Sequence, residues 1–234
     1  MSASITCCAR TSPATTTRMN KPQAVLFDLD GTLLDTAPDM LAALEQLAEE
    51  NQRPYRIDYQ RQKHLITRGA QSLIKAVFGQ IDTHQLAALR QRYLQLYRRQ
   101  LGTKTRLFDG VGMLLENLQQ REISWGIVTN KPGWLCTPLI QSIPELAAAQ
   151  VLVAGDTLNV AKPHPAPLLH AASALACIPE HCVYVGDAHT DVLAATAAAM
   201  PAAVALWGYL DDNDQPSAWR ATLLEHPGDL LTWL

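Results

Sequence analysis

Two carboxylates, Asp28 and Asp30, follow a short apolar run near the start of the chain, and Gly31 comes directly after them. The apolar residues 25–27 predict a buried parallel strand, and a glycine allows the backbone to turn away from the sheet. Open α/β sheets bind their ligands at the carboxyl ends of the strands. We therefore expect both carboxylates at a ligand-binding edge, with an acidic turn after a strand as the simpler alternative.

Polar side chains also follow the later predicted strands. Thr129 and Asn130 come after one such strand and Asp187 after another, with Asp191 four residues further on. Lys162 precedes a proline just before a predicted helix. Each residue alone has a structural interpretation, because aspartates stabilise helix N-termini and lysines are common at surface turns. Together they predict a hydroxyl, an amine and four carboxylates in one crevice.

Four carboxylates gathered at one sheet edge repel one another unless a cation neutralises them. Hard divalent cations take oxygen ligands, and Mg²⁺ is the usual ion beside phosphate groups. The pattern therefore predicts a Mg²⁺ site in a crevice suited to a phosphorylated ligand.

The elements that must position these residues alternate from residue 107 onward between strand and helix patterns. Such alternation predicts an α/β fold with a doubly wound parallel sheet. Residues 36–103 instead show apolar residues at helical spacing with no β-rich run, and the block is too long for a simple crossover. We predict a core domain of residues 21–35 and 104–234 with an inserted helical cap domain of residues 36–103.

The composition is that of an ordinary globular protein, with 234 residues of which 48% are hydrophobic and 18% charged. A net charge of −3 gives no electrostatic reason to expect nucleic acid or an anionic membrane as a partner. The five cysteines form no CxxC pair, which is typical of reduced thiols in the cytoplasm. Residues 1–20 are rich in Ser, Thr and Ala, and we predict a disordered tail there.

Four short motifs, in their order and spacing, resemble those of the haloacid dehalogenase superfamily of phosphohydrolases. They are Asp28-Leu29-Asp30-Gly31-Thr32, Thr129-Asn130-Lys131, Lys162-Pro163 and Gly186-Asp187-Ala188-His189-Thr190-Asp191. The resemblance covers residues 23 to about 210, and the helical insert is similar to the family's small cap. Residues 33–39 and 125–132 look like the phosphoglycolate phosphatase group. The C-terminal residues Gly208-Tyr209, Pro216, Trp219 and His226-Pro227 look like the branch acting on N-acetylmuramic acid 6-phosphate.

The resemblance implies a role for each motif residue. Asp28 is the expected nucleophile, which forms an aspartyl-phosphate, and Asp30 the expected proton donor to the leaving oxygen. Thr129, the Asn130 main-chain amide and Lys162 are expected to bind the phosphoryl group. The expected Mg²⁺ ligands are the Asp28 side chain, the Asp30 main-chain carbonyl, Asp187 and Asp191, the last either holding the metal's water shell or orienting Lys162.

The implied function is Mg²⁺-dependent hydrolysis of a small phosphorylated acid or sugar acid, by a monomer or homodimer. The carboxyl group of such a substrate needs a cation, and we name Arg68, beside Gly69, as the candidate; a surface position is the alternative. The cluster Arg90, Arg92, Arg98 and Arg99 is predicted to be a solvated helix face. Two alternatives stay open: a phosphosugar mutase of the β-phosphoglucomutase kind, and a catalytically idle binding protein with the same fold.

Overall fold

The computed structural model describes residues 22–53 and 55–234, so the tail predicted at residues 1–20 lies outside the described residues. The strands are β1 (Ala24–Phe27), β2 (Leu34–Asp35), β3 (Arg106–Leu107), β4 (Ser124–Val128), β5 (Val151–Val153), β6 (Cys182–Gly186), β7 (Ala202–Ala205) and β8 (Thr222–Leu224). Six of them form a parallel sheet in the order β5-β4-β1-β6-β7-β8. This order confirms the predicted parallel α/β sheet.

The α-helices are α1 (Ala37–Glu50), α2 (Tyr59–Gln62), α3 (Gly69–Phe78), α4 (Thr83–Gln100), α5 (Val111–Gln120), α6 (Gly133–Gln141), α7 (Ala166–Ala174) and α8 (His189–Ala197). Short 3₁₀ turns connect several of them. Helix α6, strand β8 and the antiparallel β2–β3 pair were not predicted. No helix within the described ranges has both the length and the hydropathy needed to cross a bilayer.

The sheet is buried on both faces, which explains why its strands read as continuous apolar runs. Along β1, Val25 and Phe27 belong to one apolar cluster, whereas Ala24 and Leu26 belong to the cluster on the other face. Strand β1 lies between β4 and β6, with Phe27 paired to Ile127 on one side and to Val185 on the other. The residues that follow these three strands therefore meet at one edge.

Helices α1, α3 and α4 pack around their own apolar cluster, which includes Leu44, Leu73, Tyr93 and Tyr97. Buried Asp39 closes the base of this block, because its carboxylate accepts hydrogen bonds from the backbone of Lys104 at 2.8 Å and of Thr105 at 3.1 Å. The start and the end of the helical insert are thereby held together. The division into core and cap at residues 36 and 103 stays a prediction.

Candidate active site

Asp28 is the first residue after β1, and its backbone N–H donates to the Val185 carbonyl at 2.9 Å. Its Oδ1 is buried and lies 2.9 Å from Nζ of Lys162. Among the described residues, this oxygen has no aligned hydrogen-bond partner. Burial raises the pKa of Asp28 to about 6, although Lys162 opposes the shift. A buried, under-satisfied carboxylate oxygen at a strand end fits a position that a cation or a phosphoryl group completes.

Three carboxylates converge at this position. Asp28, Asp187 and Asp191 each offer an oxygen, and these atoms lie within 4.8 Å of one another. Burial raises the pKa of Asp187 well above its ordinary value, and the charges of Asp28 and Asp191 raise it further. The oxygen donors and the excess of negative charge match the preference of a hard divalent cation. The residues present therefore fit the predicted metal site.

The Asp187 side chain is held by the loop after β1 and by the backbone of Tyr209. Thr32 Oγ1 donates to Asp187 Oδ1 at 3.2 Å, and the Tyr209 N–H donates to Oδ2 at 2.9 Å. Gly31 has a φ of +87°, and a Cβ on it would lie 2.2 Å from Asp187 Oδ2. Only glycine allows this turn and this close approach together.

The Asp30 side chain is not one of the three grouped carboxylates and has hydrogen-bond partners of its own. Its Oδ1 accepts hydrogen bonds from Thr36 Oγ1 at 2.7 Å and from Lys131 Nζ at 2.8 Å. The same ammonium donates to the Tyr97 hydroxyl, at 2.7 Å, on helix α4. Burial alone would lower the pKa of Lys131, but the adjacent Asp30 holds it above its ordinary value. The Asp30 side chain is thus held by an ammonium and a hydroxyl, and through Lys131 it is linked to helix α4.

Lys162 is buried, and its ammonium is shared by three acceptors. Nζ lies 2.7 Å from Asp191 Oδ1, 2.9 Å from Asp28 Oδ1 and 2.7 Å from the Tyr184 hydroxyl. Burial opposes its charge, but Asp191 and Asp28 raise the pKa of Lys162 to about 12. Asp191 is therefore in direct contact with Lys162, as one of its two expected roles requires.

Thr129 and Asn130 follow β4 at the same edge of the sheet. Thr129 is buried, and its Oγ1 accepts a hydrogen bond from the Lys131 N–H at 3.2 Å. The Asn130 side chain makes two hydrogen bonds to the backbone of Lys162: Nδ2 donates to its carbonyl at 3.0 Å, and Oδ1 accepts from its N–H at 3.0 Å. The Asn130 side chain therefore fixes the segment that carries Lys162.

A cavity of about 420 Å³ connects the sheet edge with the helical block. Its lining includes most of the residues proposed from sequence, namely Asp28, Asp30, Arg68, Thr129, Asn130, Lys162 and Asp191. Asp187 is not part of this lining. Arg68 lines the cavity wall, but its Nη2 donates to Asp211 Oδ2 at 2.8 Å, so a core carboxylate already holds it.

A family model for haloacid dehalogenase-like hydrolases matches residues 25–205, most of the chain. The chain belongs to this family. It is 43% identical over 213 residues to a phosphoglycolate phosphatase of Xanthomonas campestris pv. campestris strain 8004, covering 91% of this chain and 96% of the relative. It is 35% identical over 211 residues to an N-acetylmuramic acid 6-phosphate phosphatase of Pseudomonas aeruginosa, covering 89% of this chain and 93% of the relative.

Solved structures give the same family fold. A protein described as a predicted phosphoglycolate phosphatase from Haemophilus somnus 129PT has a TM-score of 0.80 at 23% identity, with 92% of this chain and 98% of that chain covered. A candidate beta-phosphoglucomutase from Thermotoga maritima has a TM-score of 0.70 at 25% identity, with 90% of this chain and 97% of that chain covered. The predicted fold and the predicted hydrolase of the phosphatase class are confirmed.

Two residues of this hydrolase were missed as site residues. Lys131 belongs to the quoted motif Thr129-Asn130-Lys131, which was the available signal, but its contact with Asp30 spans 101 positions. Tyr209 was quoted with Gly208 among the C-terminal residues but given no role in the site; its backbone N–H donates to Asp187 Oδ2. Arg90 was predicted only as part of a solvated helix face. It is exposed as predicted, but it also lines the cavity.

Proposed function

We propose that this protein is a Mg²⁺-dependent phosphomonoesterase acting on a small phosphorylated acid or sugar acid. The relatives named for phosphoglycolate and for N-acetylmuramic acid 6-phosphate support this class, since both compounds combine a phosphomonoester with a carboxylate. The observation that carries the proposal is the position of Asp28: its buried Oδ1 lies 2.9 Å from Lys162 Nζ and close to two further carboxylates.

Asp28 is the proposed nucleophile. One of its oxygens attacks phosphorus, the bond from phosphorus to the ester oxygen breaks, and an aspartyl-phosphate forms. A carboxylate and a phosphate dianion 4 Å apart repel each other by roughly 8 kcal/mol at an effective dielectric constant of 20. The Lys162 ammonium offsets part of this repulsion. A Mg²⁺ ion held by Asp28, Asp187 and Asp191, and in the proposal also by the Asp30 main-chain carbonyl, would supply further positive charge beside the phosphoryl oxygens.

Asp30 is the proposed acid and base. In the first step its proton passes to the leaving ester oxygen, and in the second step it takes a proton from the attacking water. The water oxygen then bonds to phosphorus, and the bond from phosphorus to the Asp28 oxygen breaks. Phosphate is released, and Asp28 becomes a free carboxylate again. The Lys131 ammonium and the Thr36 hydroxyl donate hydrogen bonds to the Asp30 side chain and hold it in place for both transfers. Thr129 and the Asn130 main-chain amide are proposed to bind the phosphoryl oxygens during both steps.

Hydrolysis of p-nitrophenyl phosphate tests the class of reaction. We expect activity that requires added Mg²⁺ and that falls roughly 10⁴-fold or more in Asp28→Asn. Asparagine keeps the shape of the aspartate side chain, and circular dichroism checks that the variant is folded. Equal activity of the two proteins would exclude Asp28 as the nucleophile. No activity in either protein would favour a binding protein, against which the intact Asp28–Lys162 pair argues.

A phosphosugar mutase is the second candidate, since the fold is also that of a candidate beta-phosphoglucomutase. Incubation with a hexose 1-phosphate separates the two reactions. A phosphatase releases inorganic phosphate, whereas a mutase yields the hexose 6-phosphate without net release. We expect phosphate release.

The proposal includes a cytoplasmic location, a small phosphorylated metabolite as the partner, and a monomer or homodimer as the oligomeric state. Within the described ranges, Cys136, Cys177 and Cys182 are free thiols, which supports a reducing compartment. Size-exclusion chromatography with light scattering measures the oligomeric state directly.

A further inference from the structure

Helix α4 presents a row of side chains to the active-site cavity. Arg90, Tyr93 and Leu94 line the cavity, and the Tyr97 hydroxyl oxygen accepts a hydrogen bond from the Lys131 ammonium beside Asp30. Residues at this spacing share one face of a helix. Arg90 lies seven positions before Tyr97, so its Cα is about 10 Å further along the helix axis. Arg90 therefore lines the cavity on helix α4 at a point further from Asp30 than Tyr97 is.

The other cations that line the cavity are already paired. Lys131 contacts Asp30, Lys162 contacts Asp28 and Asp191, and Arg68 contacts Asp211. Across residues 22–53 and 55–234, no carboxylate lies within ion-pair distance of Arg90. A neighbour on the same helix, Arg92, is instead bound by Glu50. Arg90 is thus the cavity cation whose charge no side chain of the described chain compensates.

We propose that Arg90 binds the carboxylate of the substrate, at a point several bonds away from the phosphate. This inference rests on the proposed phosphatase function, which fixes the phosphate beside Asp28. Guanidinium groups bind carboxylates through two parallel hydrogen bonds. In phosphoglycolate a single methylene separates the carboxylate from the ester oxygen, so the acid lies next to the phosphate. A phosphorylated sugar acid carries its carboxylate on another part of the ring, so it can reach from Asp28 at the sheet edge to helix α4.

The size of the cavity supports the larger ligand. About 420 Å³ falls within the range of pockets that enclose ligands of drug-like size. A two-carbon phosphorylated acid would leave much of this volume to water. The substrate class assigned to Arg90 is therefore a sugar acid phosphate.

Two matched substrates test this assignment. N-acetylmuramic acid 6-phosphate and N-acetylglucosamine 6-phosphate share the ring and the phosphate, and differ by the lactyl ether that carries the carboxylate. We expect Arg90→Ala to lower kcat/KM for the acidic sugar about 10- to 100-fold and to leave the neutral sugar unchanged. Arg90→Lys, which keeps the charge without the forked geometry, should recover part of the loss.

Arg98→Ala is the matched control, because Arg98 is an exposed arginine of the same helix outside the cavity lining. This variant should leave kcat/KM unchanged for both sugar phosphates. The assignment fails if Arg90→Ala lowers kcat/KM for both sugars equally, which would indicate a structural role, or if it affects neither. Hydrolysis of p-nitrophenyl phosphate by the wild type separates these outcomes from a failure of the proposed function.

Discussion

Lys131 Nζ lies 2.8 Å from Oδ1 of Asp30, and the same ammonium lies 2.7 Å from the hydroxyl of Tyr97. Lys131 follows the core strand β4, whereas Tyr97 belongs to helix α4 of the helical insert. The buried Lys131 ammonium therefore joins Asp30, the proposed acid and base, to helix α4. The position of Asp30 depends in this way on how the helical block packs onto the sheet edge.

Replacing Lys131 with methionine should impair both folding and catalysis. Removal of one partner of a buried ion pair costs about 3–5 kcal/mol, and partial exposure of Asp30 reduces the expected loss in free energy of unfolding to about 2–3 kcal/mol. We expect kcat to fall more than KM rises, because the phosphate contacts remain. Urea unfolding and steady-state kinetics measure the two effects. Tyr97→Phe keeps the ion pair and should cost about 1 kcal/mol; an equal loss in both variants would contradict a specific role of the pair.

The convergence of the acidic residues could be predicted because it follows from a general property of parallel sheets. Asp28, Thr129 and Asp187 each follow a strand, and adjacent parallel strands end at the same edge. An apolar run followed by a polar residue is visible in the sequence. The positions of these residues therefore needed no knowledge of side-chain packing.

Other features depend on contacts that no local pattern encodes. Tyr209 reaches Asp187 from a loop 22 residues later. Helix α6 contains Pro138, which weakens its helical signal, and it is held by packing of Leu135 and Leu139. Strand β8 has three residues, two of them exposed, so it lacks the apolar run that marked the central strands.

Asn130→Ala should misplace Lys162 without altering the main-chain amide proposed to bind phosphate. The variant loses two hydrogen bonds to the Lys162 backbone, which together contribute about 1–3 kcal/mol. We expect kcat to fall roughly tenfold. Asn130→Asp keeps the acceptor for the Lys162 N–H, and its kcat should lie between those of the wild type and Asn130→Ala. Asn117→Ala, which removes a similar side chain whose hydrogen bond to the Met113 carbonyl lies at the surface of helix α5, is the control and should retain full activity.

Arg68 and Asp211 should act as one link between the helical block and the core. Their ion pair spans 143 positions, and it engages the guanidinium predicted to bind the substrate carboxylate. We expect Arg68→Ala and Asp211→Ala to raise KM alike, by about fivefold or less, and the double variant to be no worse than either. Kinetics with an acidic substrate measure this. If Arg68→Ala raised KM while Asp211→Ala lowered it, Arg68 would bind the substrate directly, as the sequence suggested.

Stabilisation by Mg²⁺ should grow with pH. Burial raises the pKa of Asp28 to about 6 from an ordinary 3.8, and it raises the pKa of Asp187 well above its ordinary value. The metal-free folded protein therefore binds protons here more tightly than the unfolded chain, and this part of its stability falls as pH rises from about 4 through 6. Mg²⁺ binds the deprotonated carboxylates and takes the place of those protons.

We therefore expect Mg²⁺ to raise the Tm more at pH 8 than at pH 5, with a stabilisation of about 2.7 kcal/mol at 100 times the Kd. Differential scanning calorimetry with and without the ion measures the shift. Asp187→Asn removes one proposed ligand and should lose most of the response at pH 8. An equal shift at both pH values, or an unchanged response in Asp187→Asn, would mean that Mg²⁺ stabilises the protein from a different site.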